Sequence, residues 1–241
     1  MITGMLANFI QTAVLYYMWK SIFAYQPVVS GYTWEIMRKY VFVSFLCNSA
    51  FSLRFEMDTA KKIIKGDIIL DFLKPASYRG MLFFRLTGNA VVEFGITLIF
   101  TGTLYLCVNG TEGLSAVRTL LFLVSLVCGQ GIKFGIQYLF SLLCFYTDNA
   151  YGVSKAREVL TNFFSGAIIP VVMFPEFCRE LVRLLPFQGI VFTPCSIFIG
   201  TDSLAEAVRG IGLQIVWIVI LSLGGSFLWK KASSVISLYG G

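Results

Sequence analysis

The side chains that most often perform chemistry are sparse in this chain and do not form a catalytic set. There is no histidine, and the six cysteines are scattered without a CxxC pair, so the sequence offers no zinc site. It also lacks a G-x-x-x-x-G-K-[ST] phosphate loop, a G-x-S-x-G nucleophile elbow and an H-E-x-x-H zinc motif. We therefore predict no catalytic residue, no metal ligand and no cofactor bound by this chain.

The stretch GDIILDFLKP combines charges, turn residues and apolar side chains between two long apolar runs. Asp67 is a good helix N-cap and Pro75 disfavours further helix, so a helix of about two turns is predicted. Four of its apolar residues would form one stripe, with Asp71 and Lys74 facing away from it. If this helix docks on a partner protein, the predicted docking residues are Gly66, Asp67, Ile68, Ile69, Asp71, Phe72, Leu73, Lys74 and Pro75.

Two interpretations of this short helix remain open. It could lie flat in the membrane interface and only connect two spans. Alternatively, its exposed face could enter a cleft on a soluble partner. The absence of a phosphate loop favours the second interpretation, because a chain that moved a substrate uphill would then take its energy from another subunit.

The composition places the elements around this segment in a membrane. Apolar residues make up 57% of the chain and charged residues 13%, against about 25% charged in an ordinary soluble domain. Several apolar runs approach 20 residues, the length that crosses a bilayer. The net charge of +6 would be compatible with nucleic-acid binding. However, Lys and Arg occupy short gaps between the apolar runs, where they set the orientation of the spans in the membrane. We expect the lipid bilayer, and no nucleic acid, as a partner.

The apolar runs predict six spans in one membrane domain, residues 1–241, with both termini cytoplasmic. The densest positive charge lies between Arg54 and Arg79, which places this connection inside. A second polar, cytoplasmic connection is predicted from Thr147 to Glu158. The predicted spans run from about Met5 to Ala24, Glu35 to Leu53, Gly80 to Val108, Leu114 to Tyr146, Val159 to Phe174 and Ile211 to Trp229.

Four prolines interrupt the region around and after the fifth run: Pro170, Pro175, Pro186 and Pro194. Each removes a backbone donor, and non-helical backbone at membrane depth survives only where protein or water shields it. The region is either an ordinary outer loop or a set of short helices that dip back from the outer face.

Isolated residues inside the runs allow three smaller predictions. Glu93 lies deep in the third span, where a carboxylate is costly, and is expected either to be neutralised by Lys133 or Arg85 or to be protonated. A structural ion pair is expected rather than a substrate site. The small residues Gly131 and Gly135 are expected to let a neighbouring helix pack closely, with a dimer contact as the alternative. Most cysteines are expected to be packing residues, although Cys178 and Cys195 are candidates for a disulfide.

Two long stretches resemble a known family. IIKGDIILDFLKPASYRG and FFSGAIIPVVMFPEFCRELVRLLPFQGIVFTPCSIFIG are similar to permease subunits of type-2 ABC exporters, especially the six-span drug or antibiotic export permeases. VSGYTWEIMRKY near the start and YGG at the end agree with this likeness, which covers nearly the whole chain. Relatives usually begin with a longer cytoplasmic elbow helix, which is expected to be short or absent here. The ordered motif consists of Gly166, Pro170, Pro175, Pro186, Phe187, Pro194 and Gly200.

The resemblance implies an all-α integral membrane protein with six transmembrane helices, a cytoplasmic coupling helix at Asp67 to Lys74, and short re-entrant helices between spans five and six. The re-entrant helices would gate the exit. It further implies two permease subunits side by side, identical or related, each docked on a cytoplasmic ATPase subunit that binds ATP and Mg. The predicted function is export of a hydrophobic or amphipathic molecule across the plasma membrane. The alternative is an ATPase-independent secondary transporter or channel.

Overall fold

The structure is a computed structural model of the chain. The structure describes residues 2–49, 58–59, 61–62, 67–72, 77–110, 115–147 and 149–239. Within these ranges it contains nine α-helices, two short 3₁₀ helices and one two-stranded hairpin.

The first two helices form an antiparallel pair joined by the hairpin. Helix α1 spans Ile2–Tyr25 and α2 spans Trp34–Ser49, with strands β1 (Val28–Val29) and β2 (Tyr32–Thr33) between them. Val29 pairs with Tyr32, so the turn consists of two residues, Ser30 and Gly31. Both have positive φ, 48° and 81°, which is the combination that matches the twist of a tight hairpin.

The remaining helices follow in chain order. Helix α3 is short, Ile68–Phe72, and α4 (Tyr78–Asn109) and α5 (Ala116–Leu143) are long. Helix α6 spans Ala150–Phe164, and α9 spans Leu204–Tyr239. Between α6 and α9 lie four short elements: a 3₁₀ helix at Val171–Met173, α7 at Glu176–Leu184, a 3₁₀ helix at Pro186–Gly189, and α8 at Phe192–Ile199.

Helix α5 is the centre of the fold, and its closest neighbour is α9. A Cβ atom built on Gly131 would lie 3.1 Å from Ile218 Cδ1, and one on Gly135 would lie 2.9 Å from Leu221 Cβ. The prediction that these glycines pack against another helix is confirmed, and the helix belongs to the same chain. Helix α8 fills the space between α2, α5 and α9, and its Cys195 and Ile197 are fully buried.

Two helices in the described residues are long and apolar enough to cross a membrane: Ala116–Leu143 and the Leu204–Ala232 part of α9. A shorter apolar helical stretch, Phe94–Asn109, lies in α4. Within the most apolar 18-residue stretch of each helix, 56% of α5 is buried inside the protein, against only 17% of α9. Helix α5 therefore meets protein on most sides, whereas α9 keeps an apolar face outward.

One predicted connection is wrong, and the candidate disulfide does not form. The predicted connection Thr147 to Glu158 is largely helical, because α6 begins at Ala150, where the Asn149 side chain accepts a hydrogen bond from the Gly152 amide as an N-cap. The predicted loop residue Arg157 is consequently buried in a helix interface. No disulfide joins Cys178 and Cys195: all six cysteines lie in the described ranges and are free, and the Cys195 sulfur is instead 4.0 Å from that of Cys47.

Candidate functional site

The short helix α3 is attached to the ends of three long helices by its first residue. Ile68 is 3% exposed and packs in an apolar cluster with residues of α4, α5 and α9. Leu70, two residues later, is 59% exposed. Helix α3 therefore has one edge inside the protein and one edge on its surface. The cluster contains Ile68, Tyr78, Leu82, Phe134, Tyr138, Leu142 and Ala232.

The charged residue of α3 points inward rather than outward. Asp71 is 3% exposed and accepts a hydrogen bond from the Lys62 ammonium, with which it forms an ion pair. The prediction that Asp71 faces away from the apolar stripe is therefore wrong. Because the cluster around Ile68 occupies one side of so short a helix, Asp71 at i+3 falls on that same side, and a cationic partner offsets the cost of its burial.

The start of α4 links this region to α9. The ring of Tyr78 stacks on Trp229 with centroids 4.9 Å apart, and its hydroxyl lies 3.2 Å from the Thr59 hydroxyl. Arg79 donates to the backbone oxygen and the hydroxyl of Ser222 on α9, at 3.1 and 2.5 Å. A movement of α3 or α4 would therefore act directly on α9.

Not all predicted docking residues can be placed. Asp67 is exposed and immediately precedes α3, and Ile69 and Phe72 lie in the helix backbone. Gly66, Leu73, Lys74 and Pro75 lie outside the described residues. So does the side chain of Glu93, whose pairing stays a prediction, while Arg85 forms an exposed ion pair with Asp58 at 3.3 Å.

The predicted gate residues lie in the segment 165–200, where each proline is at or near the start of a short helix. Pro170 and Pro175 occupy the positions before the first 3₁₀ helix and α7, Pro186 is the first residue of the second 3₁₀ helix, and Pro194 lies in the first turn of α8. A helix start leaves backbone N–H groups unpaired in any case, so proline costs little there. Pro175 is exposed, Phe187 is half-buried, and the other three prolines are buried.

Gly166 is the point at which the chain leaves α6. Its φ of +85° favours glycine, and a Cβ there would lie 2.9 Å from the Tyr40 hydroxyl oxygen and 3.1 Å from Phe192 Cβ. The Tyr40 hydroxyl donates to the Gly166 carbonyl at 2.7 Å in a fully buried position. The glycine of the sequence motif is thus required both by backbone conformation and by close packing.

The long helices hold the segment 165–200 through its backbone. Gln214 on α9 donates to the Gly189 carbonyl at 2.6 Å and to the Ser125 carbonyl at 3.0 Å, and its own oxygen accepts from the Ser125 hydroxyl. Three further side chains donate to carbonyls of the segment: Trp19 to Ile168 at 3.4 Å, Arg118 to Ile197 at 3.4 Å, and Trp217 to Leu184 at 3.0 Å. Helices α1, α2, α5 and α9 therefore all fix this segment.

Ionisable groups collect where α8 ends. The Arg118 guanidinium donates to the Asp202 carbonyl at 3.0 Å. Burial raises the pKa of the Asp202 carboxyl, and the nearby Glu206 carboxylate raises it further. Burial likewise raises the pKa of Tyr32 in the hairpin to about 12.

Helix α7 presents a separate apolar surface. Phe177, Leu181 and Leu184 are 84%, 52% and 69% exposed, and their spacing of four and three residues places them on one face. Val182, on the opposite side, is buried.

A polar cavity of about 160 Å³ lies between α1, α2, α5 and α6. Lys133 and Arg157 line it, and each is only 5% exposed. This cavity was not predicted from the sequence. One feature of the sequence could have indicated it. Gln130, Lys133 and Gln137 are spaced three and four residues apart, so they form a buried polar stripe along an otherwise apolar helix.

Comparison with known protein families identifies the family of this chain. The family described as ABC-2 family transporter protein matches residues 9–237. The chain therefore belongs to the ABC-2 family of transporter proteins, and it is a membrane permease of the ABC-2 type. Neither the curated proteins nor the solved structures contain a match to it.

Proposed function

We propose that this chain is the permease subunit of an ATP-driven exporter that moves a hydrophobic or amphipathic substrate out of the cytoplasm. Two permease subunits, identical or related, form the translocation path, and each docks on a cytoplasmic ATPase subunit that binds ATP and Mg. The chain supplies the pathway and no catalytic residue. It lies in the plasma membrane with both termini in the cytoplasm.

The observation that carries this proposal is the placement of α3. Its inner edge, Ile68, shares one apolar cluster with the ends of α4, α5 and α9, while Leu70 and Asp67 lie on the surface. A partner that presses on the exposed edge would displace the cluster and with it three long helices. This is the arrangement expected of a coupling helix, and it is not needed in a helix that only connects two spans.

Six spans are proposed from helix order and length. They are α1, α2, α4, α5, α6 and α9. Helix α6 has 15 residues, about 22 Å at 1.5 Å per residue, and is short for a span. The segment 165–200 would complete that crossing at the outer face. Its short helices, each started near a proline, would form the re-entrant gate at Gly166, Pro170, Pro175, Pro186, Phe187 and Pro194.

The test is the capture of an ATPase through α3. The chain would be purified from its native membranes and assayed for a co-purifying ATPase subunit. Leu70→Asp is expected to reduce this co-purification at least tenfold, because it places a charge in the proposed contact. Val28→Asp is the matched control: Val28 is 58% exposed, almost the same as Leu70, but lies in the hairpin on the proposed outer side.

The proposal would be overturned by two results. One is equal retention of the ATPase by the Leu70→Asp and Val28→Asp variants, both eluting as monodisperse proteins. The other is full-rate transport by the purified chain alone in liposomes, which would establish the secondary transporter or channel instead.

A further inference from the structure

The cavity between α1, α2, α5 and α6 contains more polar chemistry than packing requires. Its volume of about 160 Å³ far exceeds the roughly 10–15 Å³ needed for one water. Four amide side chains and four hydroxyl side chains line it alongside the two cations. These polar residues are Gln11, Asn48, Gln137, Asn162, Thr12, Ser44, Ser49 and Thr161.

The charge of the described lining is predominantly positive. Lys133 and Arg157 come from different helices, and their charges repel each other. The one described carboxylate in the lining, Glu158, pairs with Lys155 at 3.1 Å, outside the lining. Lys133 also donates to the Asn48 carbonyl at 2.8 Å, which fixes the position of its ammonium group. Two basic side chains held together in a buried position favour an anion between them, because an anion offsets the cost of burying their charge.

An unsatisfied hydroxyl points to a ligand as well. Thr161 is 3% exposed, lines the cavity, and its hydroxyl oxygen has no hydrogen-bond partner within the part of the chain that the structure describes. A buried polar atom without a partner is costly, so such atoms usually meet water or a bound group. Thr161 lies one helical turn after Arg157, so both side chains can reach the same bound atom.

The cavity is bordered by apolar surface on α1. Gln11, which lines the cavity, is exposed, and Ile10 and Val14 on the same helix are 54% and 61% exposed. Residues three and four apart share one helix face, so Val14 lies beside the cavity opening. A molecule with its charged end in the cavity would find apolar surface for the remainder.

We propose that this cavity binds the anionic headgroup, a phosphate or carboxylate, of an amphipathic molecule whose apolar part lies along α1. Arg157 and Lys133 hold the charge, Thr161 donates a hydrogen bond, and Glu158 opposes the anion. As an assignment of the substrate class this inference rests on the proposed export function, but binding itself requires neither ATP nor a partner.

The experiment measures lipid selectivity of the purified full chain in phosphatidylcholine vesicles. Trace spin-labelled phosphatidylglycerol or spin-labelled phosphatidylcholine is added, and the motionally restricted fraction gives the relative affinity. We expect phosphatidylglycerol to bind about tenfold more tightly, as for a charge-assisted contact. Inorganic phosphate, titrated in a second arm, is expected to displace the labelled lipid only at far higher concentration.

Variants separate the cavity from general surface attraction. Arg157→Gln is expected to abolish the selectivity, Arg157→Lys to retain most of it, and Thr161→Val to reduce it a few-fold. Glu158→Gln is expected to increase it, a change of sign that a folding defect would not produce. Arg209→Gln is the matched control, because Arg209 is exposed on α9 and its replacement removes the same charge away from the cavity.

Three outcomes would overturn the proposal: equal affinity for the two lipids, equal loss of selectivity in Arg157→Gln and Arg209→Gln, or displacement by inorganic phosphate at the same concentration as the lipid. None of them would affect capture of an ATPase through α3, which is measured separately. Failure of the headgroup site and failure of the export function are therefore distinguishable.

Discussion

The region around α3 and the segment 165–200 are held in place by different kinds of contact. The segment 165–200 is fixed through its carbonyl groups, which accept hydrogen bonds from Trp19, Tyr40, Gln214 and Trp217, among others. The tertiary contacts described for α3 itself are between side chains: the Asp71–Lys62 ion pair and the apolar packing of Ile68. The side chains that donate to the carbonyl groups of segment 165–200 are mostly far in sequence from the residues whose carbonyl groups accept the bonds.

This difference bears on which region can move. A buried carbonyl that loses its donor retains the full cost of desolvation, so the segment 165–200 resists displacement. In the Asp71–Lys62 ion pair, Lys62 is about one-third exposed and can be solvated, but Asp71 is 3% exposed and would keep the cost of burying a charge. The segment 165–200 is therefore fixed by carbonyl contacts along its length, whereas α3 is held at Ile68 and Asp71 and exposes Leu70.

The largest loss of stability is expected at Gly166, where the segment 165–200 leaves α6. Gly166→Ala would force a residue with a side chain to φ near +85° and place its Cβ against the Tyr40 hydroxyl. We expect a loss of about 2–4 kcal/mol in the free energy of unfolding, measured by chemical unfolding in micelles. Gly212→Ala is the control, because nothing lies within 4 Å of its Cβ position in α9. That variant should be neutral or slightly stabilising, and equal destabilisation of both would contradict this account of Gly166.

A smaller loss is expected when the fixed segment loses one donor. Tyr40→Phe removes the hydroxyl that donates to the Gly166 carbonyl and leaves that carbonyl buried. The expected loss is about 1–3 kcal/mol in the same unfolding assay. Tyr17→Phe, at a site that is 65% exposed, should change stability by less than about 0.5 kcal/mol. If the two variants matched, the carbonyl contacts would not be what fixes the segment.

A modest loss of stability is expected when α3 loses its ion pair. Asp71→Asn removes the charge that pairs with Lys62, and we expect it to cost about 1 kcal/mol, discounted for the partial exposure of Lys62. If the chain docks on an ATPase subunit as proposed, the effect on the ATPase activity of that complex should be larger, a several-fold decrease. Asp58→Asn breaks the exposed pair with Arg85 and serves as the control. A loss of stability above that of Gly166→Ala would reverse the comparison between the two regions.

The smallest effect is a pH dependence at the edge of the fixed segment. Burial raises the pKa of Asp202 in the folded state above its ordinary value of 3.8, so the folded protein binds the proton more tightly than the unfolded chain. The associated stability is fully present below pH 3.8 and is lost as the pH rises through the raised folded pKa. Asp202→Asn should remove this slope from the melting temperature measured against pH. An unchanged slope in the variant would show that another group causes it.

Local patterns in the sequence were sufficient to predict the helices and part of their packing. The apolar runs predicted α1, α4, α5 and α9 near their observed positions, and the glycine spacing in α5 predicted a close helix contact that is confirmed. The prolines predicted interruptions, because proline acts on its own backbone and needs no distant partner.

The wrong predictions concern residues whose environment is set by tertiary contacts and not by the local sequence. The apolar stripe of the short helix predicts Asp71 on the outer side, but Asp71 is buried beside its partner Lys62. The polar composition of Thr147 to Glu158 predicts a connection, but its buried Arg157 faces a polar cavity instead of solvent. The bond from Tyr40 to Gly166 joins residues 126 positions apart, and no local pattern indicates such a pair.

The continuity of α9 has a mechanical consequence. Over its 36 residues, about 54 Å, this one helix touches the α3 cluster through Ala232 and the Gly189 carbonyl through Gln214. Between these points Ile218 and Leu221 rest against the bare backbone of Gly131 and Gly135. These contacts near its middle can act as a pivot, so tilting the end of α9 that contacts the α3 cluster would move its other end in the opposite direction, and the helix itself would carry the movement.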